Sequence, residues 1–142
     1  MGKETLLKGK KILVVDDEPE VLDTLAELLD MCQLVRATSF EAARDLLRTQ
    51  DFDIAVLDIM GVDGFRLLDI ATEKKMLAVM LTAYALRPEN ITLSLEKGAA
   101  YFVPKDRIAD IAIFLGDVLA ADQKGTSHWN PWTDRLDGIS PP

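Results

Sequence analysis

The stretch ILVVDDE, residues 12–18, decides the fold. Its first four residues are apolar, and the aspartates Asp16 and Asp17 follow directly. A short apolar run that stops at charged residues is typical of a parallel strand buried on both faces. From Glu18 onward the apolar residues recur at spacings of three and four, which predicts a helix with Pro19 in its first turn. The stretch therefore predicts a strand, an acidic turn and a helix.

The same strand-and-helix pattern recurs along the chain. Further strands are predicted at residues 34–37, 54–57, 76–81 and 100–103. Further helices are predicted to end near residues 48, 73, 98 and 121, and the last of them is predicted to begin at Ile108. Five apolar strands that alternate with five helices predict a parallel sheet with helices on both faces, an α/β fold.

Single residues refine the predicted helices. Thr38, with Glu41 three positions later, forms a capping box that predicts the start of the second helix. Gly98 is expected to end the fourth helix in the left-handed conformation. Cys32 falls on the apolar face of the first helix and is predicted to be a small buried side chain. The third helix is expected to turn three apolar residues inward, namely Phe65, Leu68 and Ile70.

Composition limits the classes of protein to consider. The chain has 142 residues, a net charge of −8 and a single cysteine. The negative charge argues against direct nucleic-acid binding, and the single cysteine excludes an internal disulfide and a cysteine-based zinc site. No apolar stretch is long enough to span a membrane and no signal peptide is apparent, so a cytoplasmic location is expected. We predict a basic segment at residues 1–9, one domain at residues 10–121 and a tail at residues 122–142, which contains His128, Trp129 and Trp132.

Polar side chains follow four of the five predicted strands. They are Asp16 and Asp17 after the first, Asp58 after the third, Thr82 after the fourth and Lys105 after the fifth. Ligands of open parallel sheets bind outside the carboxyl ends of the strands, so these side chains are expected to converge.

The chemistry of this set points to phosphoryl transfer. Three clustered carboxylates need a cation, and their hard oxygens suit Mg²⁺. A carboxylate beside such an ion can attack a phosphoryl group and form an acyl phosphate. A lysine can then offset charge on the phosphoryl oxygens, and a hydroxyl can donate a hydrogen bond to one of them.

At these residues the chain resembles the receiver domain of two-component response regulators. The resemblance covers residues 10–121 and rests on the motifs ILVVDDE, AVLDIM, MLTA and YFVPK. It implies a doubly wound, flavodoxin-like sheet with strand order 2-1-3-4-5. It also implies a signalling protein rather than an enzyme, apart from self-catalysed phosphorylation and dephosphorylation.

The resemblance implies a role for each site residue. Asp58 would be the phospho-acceptor, Lys105 the lysine that pairs with the phosphoryl group, and Thr82 the switch hydroxyl. Phe102 would be the switch aromatic, turning inward when Thr82 moves. The Mg²⁺ site would comprise Asp16, Asp17, Asp58 and the backbone carbonyl of Met60, with Asp17 as a direct ligand and Asp16 acting mainly through water.

Two departures from the family pattern affect the loops. The segment from Asp58 to Gly64 is two residues shorter than usual and lacks a proline. Asp106 follows Lys105 where the family has proline, so a cis bond is not expected there. These changes alter loop geometry and remove no chemical group.

The expected partners are a sensor histidine kinase or phosphotransfer protein and a downstream protein target, with a homodimer as a further option. The surface formed by the fourth helix, the fifth strand and the fifth helix is expected to change on phosphorylation. One alternative is a receiver-like interaction module that works without phosphorylation. A phosphohydrolase is disfavoured because Met60 stands where a second aspartate is needed. Dinucleotide binding is disfavoured because no Gly-x-Gly-x-x-Gly follows the first strand.

Overall fold

A computed structural model describes residues 3–82 and 88–124, and the structural statements below concern these residues. Within them, five strands alternate with five α-helices, as predicted. The strands are β1 Lys11–Val15, β2 Gln33–Ala37, β3 Ile54–Asp58, β4 Leu77–Thr82 and β5 Tyr101–Pro104. The α-helices are α1 Pro19–Leu28, α2 Phe40–Thr49, α3 Gly64–Glu73, α4 Pro88–Glu96 and α5 Ile111–Lys124. Two 3-10 helices, Lys3–Leu7 and Lys105–Asp110, complete the described elements.

All five strands are parallel and form one sheet in the order β2-β1-β3-β4-β5, which confirms the predicted topology. Every residue of β3 is buried, as are residues 12–15 of β1, because helices cover both faces of the sheet. The helix α1 contacts α5, and α2 contacts α3, which is the arrangement expected from right-handed crossovers on the two sides of β1. The strand order reverses between β1 and β3, so a crevice opens at their carboxyl ends.

The start of α2 differs from the prediction by one residue. Ser39, not Thr38, is the N-cap: its backbone is extended, and its hydroxyl accepts a hydrogen bond from the Ala42 backbone nitrogen at 3.2 Å. Thr38 and Ser39 can both cap a helix, and the side chain that reaches the first-turn N–H is the one that does so.

The inward face of α3 is also shifted. Leu68 is buried as predicted, but Leu67 and Ala71 join it, whereas Phe65 and Ile70 are only partly buried. The short preceding loop lets α3 start at Gly64, and the helical period then brings residues 64, 67, 68 and 71 onto one face.

The N-terminal segment is part of the folded core. The 3-10 helix Lys3–Leu7 packs along α5, and Leu7 is fully buried. The Gly9 N–H donates to the Met31 carbonyl at 2.9 Å, and the Cys32 thiol donates to the Leu7 carbonyl at 3.4 Å. The prediction that Cys32 lies on the first helix is wrong, because α1 ends at Leu28, and the side chain is only partly buried. Burial, together with the charge of Asp30, raises the pKa of Cys32 to about 11, so the thiol stays neutral. The segment predicted only as basic thus contributes an apolar anchor.

The last α-helix begins later than the predicted residue 108. Residues 105–110 form a 3-10 helix, and α5 follows from Ile111. Arg107, with φ −110° and ψ 17°, interrupts the helical conformation at this point. The Lys105–Asp106 bond is trans, as expected without a proline.

The C-terminal end of α4 is fastened to α3. Lys97 Nζ lies 3.0 Å from both carboxylate oxygens of Asp69, and the Thr72 hydroxyl donates to the Lys97 carbonyl at 2.9 Å. Gly98 follows with φ 94°, which confirms the predicted left-handed residue. Together these contacts hold the end of α4 in place.

None of the helices within residues 3–82 and 88–124 has the length and hydropathy to cross a lipid bilayer. The predicted tail with His128, Trp129 and Trp132 lies outside the described residues from residue 125 onward, as do residues 83–87.

Candidate functional site

The polar side chains predicted to converge stand at one edge of the sheet. Asp16 follows β1, Asp58 ends β3, Thr82 ends β4, and Lys105 follows β5. Asp58 pairs in register with Leu81, so the carboxylate and the Thr82 hydroxyl come from neighbouring strand ends. The sheet topology alone therefore brings together residues up to 89 positions apart, from Asp16 to Lys105.

Lys105 is the centre of the cluster. Its ammonium nitrogen lies 2.8 Å from Asp16 Oδ2, 3.1 Å from Glu18 Oε1 and 3.3 Å from Asp58 Oδ1. Asp16 and Asp58 are buried, whereas the Glu18 side chain is 55% exposed. One cation thus faces two buried carboxylates and one that is partly in solvent.

The electrostatics show that the cluster holds excess negative charge. Burial and the charge of Asp16, against the opposing effect of Lys105, together raise the pKa of Asp58 to about 6. Burial pushes the pKa of Lys105 down, but pairing with Asp16 and Glu18 outweighs this and raises it overall. The ammonium stays charged, while ionising Asp58 is costly beside a second buried carboxylate.

Three buried polar atoms lack a regular hydrogen bond within the described part of the chain. They are Asp16 Oδ2, Asp58 Oδ1 and Thr82 Oγ1. The first two form ion pairs with the Lys105 ammonium. No other donor among the described residues uses their remaining lone pairs. Buried polar atoms are costly without partners, and such atoms grouped at one edge indicate a place for a ligand.

The acidic residues offer ligand atoms suited to a hard divalent cation. Carboxylate oxygens of Asp16, Asp17 and Glu18 lie within 4.8 Å of one another. Glu18 takes part in this group and was not among the predicted ligands. The Met60 carbonyl accepts a hydrogen bond from Val62 N at 2.9 Å and keeps a second lone pair. With the unfilled oxygens of Asp16 and Asp58, this donor set fits Mg²⁺.

Two glycines in the loop after β3 allow close approaches. A Cβ on Gly61, whose φ is 79°, would lie 2.6 Å from Asp17 Oδ2. A Cβ on Gly64 would lie 2.1 Å from the Asp58 carbonyl oxygen. The two-residue-shorter loop therefore fits tightly against both Asp17 and the strand end that carries Asp58.

Phe102 and Tyr101 point to opposite faces of the sheet, because neighbouring residues of a strand alternate. Tyr101 meets the ring of Phe114 on α5 edge-to-face at 5.5 Å. Phe102 pairs in register with Met80, which shares a face of β4 with Thr82. Phe102 is 1% exposed, so its ring already lies in the interior in this structure. The predicted inward turn would therefore not start from an exposed position.

Glu18 is the site residue that the sequence analysis did not identify. It was interpreted as the start of a helix, and it is the N-cap of α1, but its side chain makes no cap hydrogen bond. The acidic run at residues 16–18 was a visible signal. Its contact with a lysine 87 positions away depends on tertiary structure.

Comparisons with known proteins agree with this arrangement. A family model described as the response regulator receiver domain matches residues 12–112. Response regulator GtcR of Aneurinibacillus migulanus is 33% identical over 101 residues, which cover 68% of this chain and 42% of that protein. Heme response regulator HssR of Staphylococcus aureus (strain Newman) is 43% identical over 76 residues, which cover 50% of this chain and 34% of that protein. The chain thus spans less than half the length of these curated relatives.

Solved structures share the fold. A CheY-like receiver domain protein from Methanospirillum hungatei JF-1 is similar, with a TM-score of 0.74 and 25% identity, over 82% of this chain and 98% of that chain. The Francisella response regulator 1452 receiver domain has a TM-score of 0.70 and 23% identity, over 81% of this chain and 99% of that chain. These matches cover nearly the whole of each solved domain.

Proposed function

The chain belongs to the response regulator receiver domain family, and on this premise we propose that it accepts a phosphoryl group on Asp58. Receiver domains are signalling modules of two-component systems that interact with histidine kinases and downstream effectors. The observation that carries the proposal is the buried Asp58 carboxylate with its Oδ1 unfilled beside the Lys105 ammonium. The phosphoryl donor is a phosphohistidine of a sensor kinase or phosphotransfer protein.

The transfer step needs few protein groups. A carboxylate oxygen of Asp58 attacks the phosphorus, and a P–O bond forms as the P–N bond to the donor imidazole breaks. The electron pair of the P–N bond stays on the imidazole nitrogen, which takes up a proton. Lys105 pairs with a phosphoryl oxygen, and the Thr82 hydroxyl, which has no hydrogen-bond partner among the described residues, donates a hydrogen bond to another.

Receiver domains generally bind Mg²⁺ at an acidic cluster, and this chain has such a cluster at residues 16–18. Asp16, Asp17, Asp58 and the Met60 carbonyl are the groups proposed to hold the ion. Bound there, Mg²⁺ would offset the negative charge of the carboxylates and of the incoming phosphoryl oxygens.

The protein with its native sequence tests the proposal directly. After incubation with acetyl phosphate and Mg²⁺, intact-protein mass spectrometry is expected to show one added phosphoryl group per chain. With EDTA in place of Mg²⁺ the addition should disappear, because the acidic cluster then repels the anionic donor. A chain that stays unmodified under both conditions would instead be an interaction module that works without phosphorylation.

Replacing Gly61 tests the assignment of Asp17 to the ion. In Gly61→Ala the new Cβ forces the Asp17 carboxylate away, so Mg²⁺ affinity should fall roughly 10- to 100-fold, as when a ligand loses its orienting support. Isothermal titration with Mg²⁺ measures this. Met60→Ala is the matched control, because it removes a side chain that is 65% exposed and keeps the backbone carbonyl. Equal affinities in the two variants would remove Asp17 from the ligand set.

A cytoplasmic location and a downstream protein target belong to the same proposal. The face made of α4, β5 and α5 is the proposed docking surface, because Thr82 and Phe102 lie on the paired strands β4 and β5, and both α4 and α5 contact β5. Phosphorylation adds charge at one point, and a partner that prefers the altered face stabilises it by its difference in affinity.

A further inference from the structure

The geometry points to Glu18 as a positioning residue that acts through Lys105 and sets how tightly the site holds a phosphoryl group. The inference deepens the proposed function and rests on it. In this structure the Lys105 ammonium pairs with Glu18 Oε1 at 3.1 Å and with Asp58 Oδ1 at 3.3 Å. The Glu18 carboxylate therefore competes with a phosphoryl group for the same lysine.

The contacts of Lys105 support this competition. The ammonium is closer to Asp16 and Glu18 than to Asp58, at 2.8, 3.1 and 3.3 Å respectively. Glu18 and Asp16 lie on the α1 side of the crevice, so two of the three pairings draw the lysine toward that side. A phosphoryl group on Asp58 would draw on the same ammonium, which already lies 3.3 Å from Asp58 Oδ1.

The Glu18 side chain is available to pair with Lys105, because only the backbone of Glu18 takes part in the start of α1. The Glu18 N–H donates to Asp16 Oδ1 at 2.9 Å, which fixes the acidic turn. Its side chain makes no cap hydrogen bond and is half in solvent. A change confined to the carboxylate should thus alter the pairing of Lys105 and leave the helix intact.

The thermodynamic consequence has a definite sign. When a phosphoryl group recruits the ammonium, the Glu18 pairing is lost and a negative charge stays close to the phosphoryl oxygens. Both effects disfavour the phosphorylated state relative to the unmodified one. Removing the Glu18 charge should therefore strengthen the binding of a phosphoryl mimic.

The experiment compares Glu18→Gln with the native protein in binding beryllofluoride at saturating Mg²⁺. Glutamine keeps the shape and an acceptor oxygen but removes the charge. We expect beryllofluoride to bind roughly two- to five-fold more tightly, the range given by an ion pair partly exposed to solvent. The midpoint of urea unfolding should shift only slightly, since no cap hydrogen bond is lost and the ion pair that is removed is partly exposed to solvent.

Glu20→Gln is the matched control, because Glu20 is an exposed acid in the first turn of α1 and makes no ion pair with Lys105 among the described residues. A gain in Glu18→Gln that exceeds the gain in Glu20→Gln supports the inference. Equal gains would show a general effect of charge and overturn it.

Titration with Mg²⁺ alone separates this role from metal binding by Glu18. A ligand of the ion would lose Mg²⁺ affinity in Glu18→Gln by more than in Glu20→Gln, and beryllofluoride would bind more weakly; that result would also overturn the inference. If the native protein neither binds beryllofluoride nor takes up phosphate, the proposed function itself fails. If the native protein does both and Glu18→Gln behaves like it, only the role of Glu18 is wrong.

Discussion

We expect Asp58→Asn to reduce phosphoryl incorporation from acetyl phosphate to below roughly one per cent of the native level, because the amide lacks the nucleophilic carboxylate oxygen. Asparagine has the same shape as aspartate, so the strand end should keep its register with Leu81. Intact-protein mass spectrometry after a fixed incubation measures the loss. Asp63→Asn serves as control, because Asp63 lies in the same loop and in the left-handed conformation that asparagine also tolerates. Retained labelling in Asp58→Asn would place the acceptor on another residue.

The same variant should be more stable than the native protein in Mg²⁺-free buffer at pH 7. The pKa of Asp58 is raised to about 6, so its ionised form is penalised in the folded state relative to the unfolded chain. An acidic group whose pKa is higher in the folded protein than in the unfolded chain has no effect on the free energy of unfolding below its unfolded pKa, near 3.8. Its ionisation lowers the free energy of unfolding as the pH rises from there through about 6. Urea unfolding at pH 7 and pH 3.5 should show the difference between variant and native protein at the higher pH only.

We expect Gly64→Ala to destabilise the protein more than any other addition of a single methyl group in the loop after β3. Its Cβ would lie 2.1 Å from the Asp58 carbonyl oxygen and 2.9 Å from Ile59 Cα, both backbone atoms. Asp58 lies in β3, which pairs with β1 and β4 on its two sides, so the strand cannot shift to make room. Forced overpacking of this kind costs about 1–3 kcal/mol or more. Urea unfolding measures the loss, and phosphoryl incorporation should fall with it as Asp58 is displaced.

The matched control for this variant is Gly9→Ala. An added Cβ there meets no atom within 4 Å, and its cost comes only from the positive φ of 77°. Gly9 precedes β1, at the edge of the sheet opposite Asp58. Gly9→Ala should therefore lose some stability and keep full phosphoryl incorporation. A Gly64→Ala protein that matches it in both measurements would show that the loop relaxes more easily than the strand pairing implies.

The arrangement of the sheet and most of the site could be predicted from the sequence because both depend on strand ends. Apolar runs that stop at Asp16, Asp58 and Thr82 identify three strands and their polar edge together. Parallel pairing then brings these residues close without knowledge of side-chain packing. The structure confirms that Asp16, Asp58 and Lys105 meet.

The remaining features depend on contacts that spacing does not encode. Thr38 and Ser39 are equally good caps by composition, and only the chain direction before α2 selects Ser39. The N-terminal segment was interpreted as basic because of its lysines, and its 3-10 helix was not predicted, although the adjacent Leu6 and Leu7 were an apolar signal. Glu18 has local features of a helix start, and its pairing with Lys105 arises from two loops that meet in space.

The attachment of α4 to α3 determines which part of this helix can move most. Lys97 contacts Asp69 and Thr72 of α3, and these contacts hold the C-terminal end of α4 in place. The opposite end of α4 begins at Pro88, six residues after Thr82. We therefore expect any displacement of α4 that begins at Thr82 to be larger in the first turn of the helix than near Lys97. A partner protein that senses the state of Asp58 through this helix should read its first turn.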